Sequence, residues 1–157
     1  MARINVRARA VDMLGRQQIA GIPTAIHELF KNAHDAYAKK VRVDYIHTLD
    51  LFIMRDDGLG MTRDDLEAKW LTLGTESKVG QNDPSVEVWT GPDLLPRRAT
   101  LGEKGIGRLA IAAIGPQVLV FSRAVRPDGL RKPVCALVNW SLFEQPGLNL
   151  DQIEIPV

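Results

Sequence analysis

Hydrophobic positions along this chain change period several times, and each change marks an element. Ala8, Val11, Leu14 and Ile19 recur at helical spacing and predict a short first helix, ended by the break Gly21-Ile22-Pro23. Ile22, Ile26, Leu29, Ala33 and Tyr37 form the apolar stripe of a second helix, from about Pro23 to Ala38. Pro23 suits its first turn, where a missing N–H costs nothing, and Lys39-Lys40 suit the negative end of its dipole. Val41–Ile46 alternates like a half-buried strand, His47–Asp50 turns the chain, and Leu51–Met54 is an apolar run short enough for a central strand, so the two strands predict an antiparallel hairpin. Thr62 followed by Asp65 is a capping-box pattern at the head of a helix reaching about Leu71. From Leu73 to Thr100 no period survives and Gly, Pro, Ser, Asn and Asp are frequent. A non-repetitive stretch of that length predicts a lid or binding loop, with Val86–Trp89 as a small strand inside it. A helix is expected over Ile106–Ile114, then strands over Gln117–Ser122 and Pro133–Trp140, joined by the turn Pro127-Asp128-Gly129. Antiparallel hairpins separated by helices predict an α+β sandwich with helices on one face.

Composition changes this picture little. The 157 residues suit a single domain of ordinary soluble type. A net charge of +1 gives no bulk argument for a nucleic-acid partner, although Arg97, Arg98, Lys104 and Arg108 form a local basic cluster. Cys135 is the one cysteine, which excludes an intrachain disulfide and a cysteine metal cluster and fits a reducing compartment. No apolar run approaches the roughly 20 residues that span a bilayer. The N-terminus also lacks a signal-peptide core, so a cytoplasmic location is expected. Ile153–Val157 reads as a strand or linker cut short, and the chain is expected to be the N-terminal part of a longer protein.

Three stretches carry candidate chemistry. Glu28, Asn32 and Asp35 are spaced i, i+4, i+7 and share one helix face. Such a face can orient a water and a metal over a bound phosphate; a solvated polar face has the same spacing. Asp56-Asp57-Gly58-Leu59-Gly60-Met61 follows a strand. Its two glycines let the backbone turn sharply with no Cβ to obstruct a ligand, and Asp56 presents a carboxylate to the gap; Asp57-Gly58 alone reads as a common turn. Gly102, Gly105 and Gly107 precede a helix, where backbone N–H groups and the dipole favour an anion, and Lys104 adds a point charge. No Gly-Lys-Ser/Thr follows, which excludes a Walker loop. Gly105-Ile-Gly107-Arg-Leu-Ala110 fits a dinucleotide fingerprint only formally, because Arg97–Leu101 is not the buried strand that fingerprint requires.

The order Glu28-x-x-x-Asn32-x-x-Asp35-Ala36, then Asp56-x-Gly58-x-Gly60-Met61, then Gly102-x-x-Gly105-x-Gly107 resembles the GHKL ATPases: gyrase B subunit, the ninety-kilodalton heat-shock chaperone, histidine kinases and MutL. The resemblance covers roughly Pro23 to Ser122, and Leu73-Gly74-Thr75-Glu-Ser77-Lys78 looks like the lid start of the MutL, MORC and chaperone branches. It implies a Bergerat ATP-binding fold with a mixed, mainly antiparallel sheet and an ATP lid at about 73–100. It also implies ATP and Mg2+ as ligands. Glu28 looks like the general base, Asn32 the magnesium ligand, and Asp35 and Ala36 pocket walls. Asp56 looks like the reader of the adenine amine, with Gly58, Gly60 and Met61 around the base. Gly102, Lys104, Gly105, Ile106 and Gly107 would cradle phosphates, and Thr75 and Lys78 would bind nucleotide from the lid. The late-strand threonine common in the family has no clear counterpart; Cys135, Val138 and Asn139 are the neighbours considered. The implied partners are ATP and ADP, with an ATP-dependent homodimer in the full-length protein; a nucleic acid or client protein is left open and a membrane is not expected. Histidine kinases generally lack a glutamate at the position of Glu28, which argues for hydrolysis over phosphotransfer. His27, His34 and His47 are poorly placed as phosphate acceptors. A nucleotide-binding regulatory module without significant turnover is the other alternative.

Overall fold

A computed structural model describes residues 5–18, 21–72, 83, 85, 87–102 and 107–157. The first two apolar stripes form helices: α1 spans Ala8–Gln18 and α2 spans Ile22–Asp35, with Pro23 in its first turn. α2 stops before the expected Ala38. The Tyr37 N–H donates to the His34 carbonyl at 3.0 Å and the Ala38 N–H reaches back to the Ala33 carbonyl at 3.0 Å, a Schellman ending. That ending needs a left-handed residue, and Tyr37 supplies it with φ 62° where glycine is the usual occupant. Tyr37 is buried, and the Arg98 guanidinium lies 5.5 Å from its ring centroid. Packing from a distant segment therefore holds the strained backbone.

Strands β1 (Val41–Ile46) and β2 (Leu51–Asp56) pair antiparallel, as do β3 (Gln117–Arg126) and β4 (Gly129–Asn139), which extend beyond the expected limits. The described strands form two separate two-stranded sheets, not the single mixed sheet expected. The glycine turn after β2 explains the separation. Beyond it, Leu59 and Met61 meet β3 in place of β2 itself: the Val125 N–H donates to the Leu59 carbonyl at 2.9 Å, and the Met61 N–H to Ser122 Oγ at 2.8 Å.

α1 and the segment around Leu66 lie on one face of β3–β4. Val134, Ala136 and Val138 alternate inward along β4 while Cys135 and Leu137 are exposed. Val134 and Ala136 pack with Leu66; Val138 packs with Ala8 and Val11 of α1 and with Leu109, Trp140 and Phe143. Thr62 and Asp65 form the expected capping box, but only one α-turn follows, α3 (Arg63–Asp65), before a π-helical stretch over Leu66–Trp70. The helix expected over Ile106–Ile114 is a 3-10 helix over Gly107–Ala113. Residues 73–82, 84 and 86 of the expected lid lie outside the described residues. Of its described residues, 87–100 are irregular with a turn at 91–94, and 87–89 form no strand. At the other end, the Leu137 N–H donates to the Pro156 carbonyl at 3.3 Å, and Ile155 and Val157 cover the Leu66 cluster. Among the described residues no helix is long and apolar enough to cross a membrane.

Candidate functional site

Between α2, the two hairpins and the segment before the 3-10 helix lies a cleft of about 1600 Å³. Glu28, Asn32, Asp35, Ala36, Asp56, Gly60, Met61 and Gly102 all line it. Candidates from all three sequence stretches therefore converge on one space. Gly58 does not line it. Thr75, Lys78, Lys104, Gly105 and Ile106 lie outside the described residues.

α2 supplies one wall. Glu28 Oε1 accepts from Lys31 Nζ at 2.6 Å, and Lys31 also lines the cleft. Asn32 follows Glu28 by one turn on the same face. Asp35, the last residue of the helix, does not present an open carboxylate. Its Oδ1 accepts the Leu101 N–H at 2.9 Å and its Oδ2 the Gly102 N–H at 3.1 Å, and the side chain is 9 % exposed. The Gly102 N–H expected to meet a phosphate is therefore directed at Asp35.

The loop after β2 supplies the opposite wall. Asp56 is exposed and its Oδ1 accepts the Gly58 N–H at 2.9 Å, which sets the carboxylate's orientation. Gly58 is required by close approach: a Cβ there would stand 2.8 Å from the Ala36 carbonyl oxygen. Gly60 is required twice over, with φ +64° and a Cβ position 2.3 Å from the Arg123 carbonyl oxygen. Asp57 does not line the cleft; its Oδ1 accepts the Lys39 and Lys40 N–H groups at 2.7 and 2.8 Å, tying the loop to the segment after α2. The Lys40 N–H is the main cause holding its carboxyl below the usual range.

Arg126 is the strut of this loop. Its Nη1 donates to the Leu59 carbonyl at 3.3 Å, its Nη2 to the Gly60 carbonyl at 3.5 Å, and Nη2 also pairs with Asp65 Oδ2. Burial alone raises the Asp65 pKa, but bonds from Lys69, Thr62 and Arg126 outweigh it and hold the carboxyl well below the ordinary range. A depressed folded-state pKa contributes stability that is present above the unfolded value and lost as pH falls through the folded one. Asp65→Asn is therefore expected to cost roughly 1–3 kcal/mol near neutral pH. The gap to the parent should narrow below about pH 4, where the unfolded carboxyl takes up its proton. Urea unfolding of both proteins across that range checks this, and a gap independent of pH would remove the charge from the explanation.

Sequence reading missed Ser122, Arg126 and the use of Arg98. Ser122 is a polar residue on the inward, period-2 face shared with Val118 and Val120, a signal present in the strand but not used. It lines the cleft beside Met61, whereas Cys135, Val138 and Asn139 do not. Cys135 faces outward, Val138 is in the core, and Asn139 caps the following 3-10 helix through the Ser141 N–H at 3.2 Å. Arg98, read as part of a local basic cluster, lines the cleft and donates through Nη1 to the His34 and Ala38 carbonyls at 3.3 and 2.8 Å.

An α+β frame in which a carboxylate and a carboxamide one turn apart share a cleft with a strand-end aspartate and a two-glycine loop defines a nucleotide-binding type of domain. Residues 21–141 match the family of histidine kinase-, DNA gyrase B- and HSP90-like ATPases. The match covers most of the chain, from the head of α2 past the end of β4, and the chain belongs to that family. Membership in the GHKL superfamily implies ATP binding. A search of the curated proteins gave no match.

Proposed function

We propose that this chain binds ATP with magnesium in the α2 cleft and hydrolyses it slowly, with closure of the 73–100 segment and association of two copies as the mechanical output. The observation that carries the reading is the convergence of Glu28, Asn32 and Asp56 on one cleft. Asp56 accepts from the exocyclic amine of adenine, its orientation set by the Gly58 N–H, while Gly60, Met61 and Ser122 pack around the base. Asn32 fits a magnesium site of the kind that takes one or two protein oxygens and completes its shell with phosphate and water. No group of three metal-binding side chains is found among the described residues. Bound there, the metal neutralises charge on the phosphates. Glu28 orients the attacking water and accepts its proton. Lys31, holding one Glu28 oxygen, favours slow turnover, because the base must share its charge with a cation until the water is seated.

The same ion pair supports the second reading, in which ATP is a switch ligand with negligible turnover. A cation that stabilises charge on the leaving side would then come from the lid, a second copy or a further domain, an addition worth ~10³-fold or more in other phosphoryl-transfer enzymes. Turnover of residues 1–157 alone is expected well below ~1 s⁻¹, the low end of typical enzymes. Two measurements decide. Calorimetric titration should give ATP at least about tenfold tighter than GTP, because guanine offers a carbonyl where adenine offers the amine that Asp56 accepts. Equal affinities remove Asp56 as the reader. Single-turnover phosphate release then separates slow hydrolysis from none.

A further inference from the structure

We propose that Asp35 is a positioning residue. It fixes the backbone at Leu101–Gly102, and with it the start of the third glycine motif, to the end of the helix that carries Glu28 and Asn32. The role rests on the ATP reading above only for its effect on nucleotide. The clasp itself stands on geometry.

A carboxylate as the last residue of a helix sits at the wrong end of the dipole. Something other than the helix must hold it there. Two successive backbone N–H groups do so, at 2.9 and 3.1 Å, from residues 66 and 67 positions further along the chain. Both carboxylate oxygens are used and the side chain is 9 % exposed, so these are charge-assisted bonds shielded from water. His34 Nδ1 lies 3.4 Å from Oδ1 on the same helix end.

The same segment returns the contact with opposite charge. Arg98 donates to the His34 and Ala38 carbonyls, which a helix end leaves partly unsatisfied, and its guanidinium covers the Tyr37 ring. Lys39 pairs with Asp93 a few residues earlier. Residues 98–102 are thus gripped by a cation on carbonyls at one point and a carboxylate on N–H groups at the next.

A consequence follows for the phosphates. The Leu101 and Gly102 N–H groups are already occupied by Asp35, so these two donors are not the ones that meet a phosphate. Asp35 acts on the ligand through the backbone, setting where the Leu101–Gly102 wall of the cleft stands relative to Glu28 and Asn32, and does not itself touch the phosphate.

The test uses Asp35→Asn, which keeps the shape but turns one oxygen into a donor facing an N–H. Without nucleotide, amide exchange at Leu101 and Gly102 should quicken by about fivefold or more. Calorimetry with adenosine, ADP and ATP should then show ATP weakened by about fivefold or more and adenosine changed by less than about twofold. Unchanged exchange overturns the clasp. Faster exchange with an equal loss for adenosine and ATP also overturns the proposal, by making Asp35 a general support of the fold, and so does faster exchange with ATP affinity intact. Should Asp35→Asn fail to fold, Arg98→Ala must quicken the same two amides, and no change there overturns the clasp. If the parent chain binds none of the three ligands, the ATP reading fails while the exchange measurement still decides the clasp.

Discussion

Glu28→Ala is expected to bind ATP with magnesium as the parent does and to hydrolyse it roughly 10²–10⁴ times more slowly, the range a positioned general base contributes. Glu28 is suited to this by place. It lines the cleft on a rigid helix, one turn before Asn32, so the water it orients and the phosphate beside Asn32 are set by one element. The substitution leaves the neighbouring architecture intact, because the contact it removes is a partly exposed i,i+3 pair with Lys31, and such pairs contribute about 1 kcal/mol or less. Rate loss with retained affinity is thus the signature of an interaction made in the transition state. The measurement is single-turnover hydrolysis at saturating nucleotide, with affinity from calorimetry. A parent-like rate in Glu28→Ala would exclude this helix face from catalysis and leave the switch-ligand reading.

Asp56→Asn is expected to weaken ATP at least about tenfold with no change in thermal stability. Asp56 is exposed without a ligand, so its carboxylate is desolvated only when a base is seated on it. Asparagine can keep its oxygen on the Gly58 N–H, which preserves the turn. Its amide then meets the adenine amine donor to donor. Leaving a buried polar group unpaired costs about 1–3 kcal/mol, or roughly 5–150-fold in affinity. Because the effect arises at the base, adenosine and ATP should lose affinity alike, in contrast to Asp35→Asn. Unchanged affinity would take Asp56 out of the site.

Local features were legible in the sequence because their causes are local. The Thr62–Asp65 capping box closes within one turn, through the Asp65 N–H on Thr62 Oγ1 at 3.1 Å and the Thr62 N–H on Asp65 Oδ2 at 3.1 Å. The i, i+4 spacing of Glu28 and Asn32 places them on one face whatever surrounds the helix, whereas the alternation along β1 does not report burial, because Val43, Tyr45 and Ile46 are all exposed. Motif order was enough to identify the family, and the family match over residues 21–141 agrees.

Tertiary structure decided what depends on partners far away in the chain. α2 ends at Asp35 because Tyr37 accepts a left-handed backbone under an arginine contributed by the loop, and no window around Tyr37 contains Arg98. Helix spacing puts Asp35 on the face of Glu28 and Asn32, and the family resemblance implies a pocket wall; Asp35 does line the cleft, but its oxygens go to N–H groups 66 and 67 residues on. Ser122 enters the site through the Met61 N–H, 61 residues before it, and Arg126 braces carbonyls 66 and 67 residues before it. The split into two sheets follows from Gly58 and Gly60, whose turn hands the contact with β3 from β2 to Leu59 and Met61. Side-chain type and spacing determine which groups are available and which face they share. Which of those groups are already satisfied by other parts of the protein is settled only when the chain closes on itself, because a buried donor or acceptor takes whatever partner the packing brings within reach.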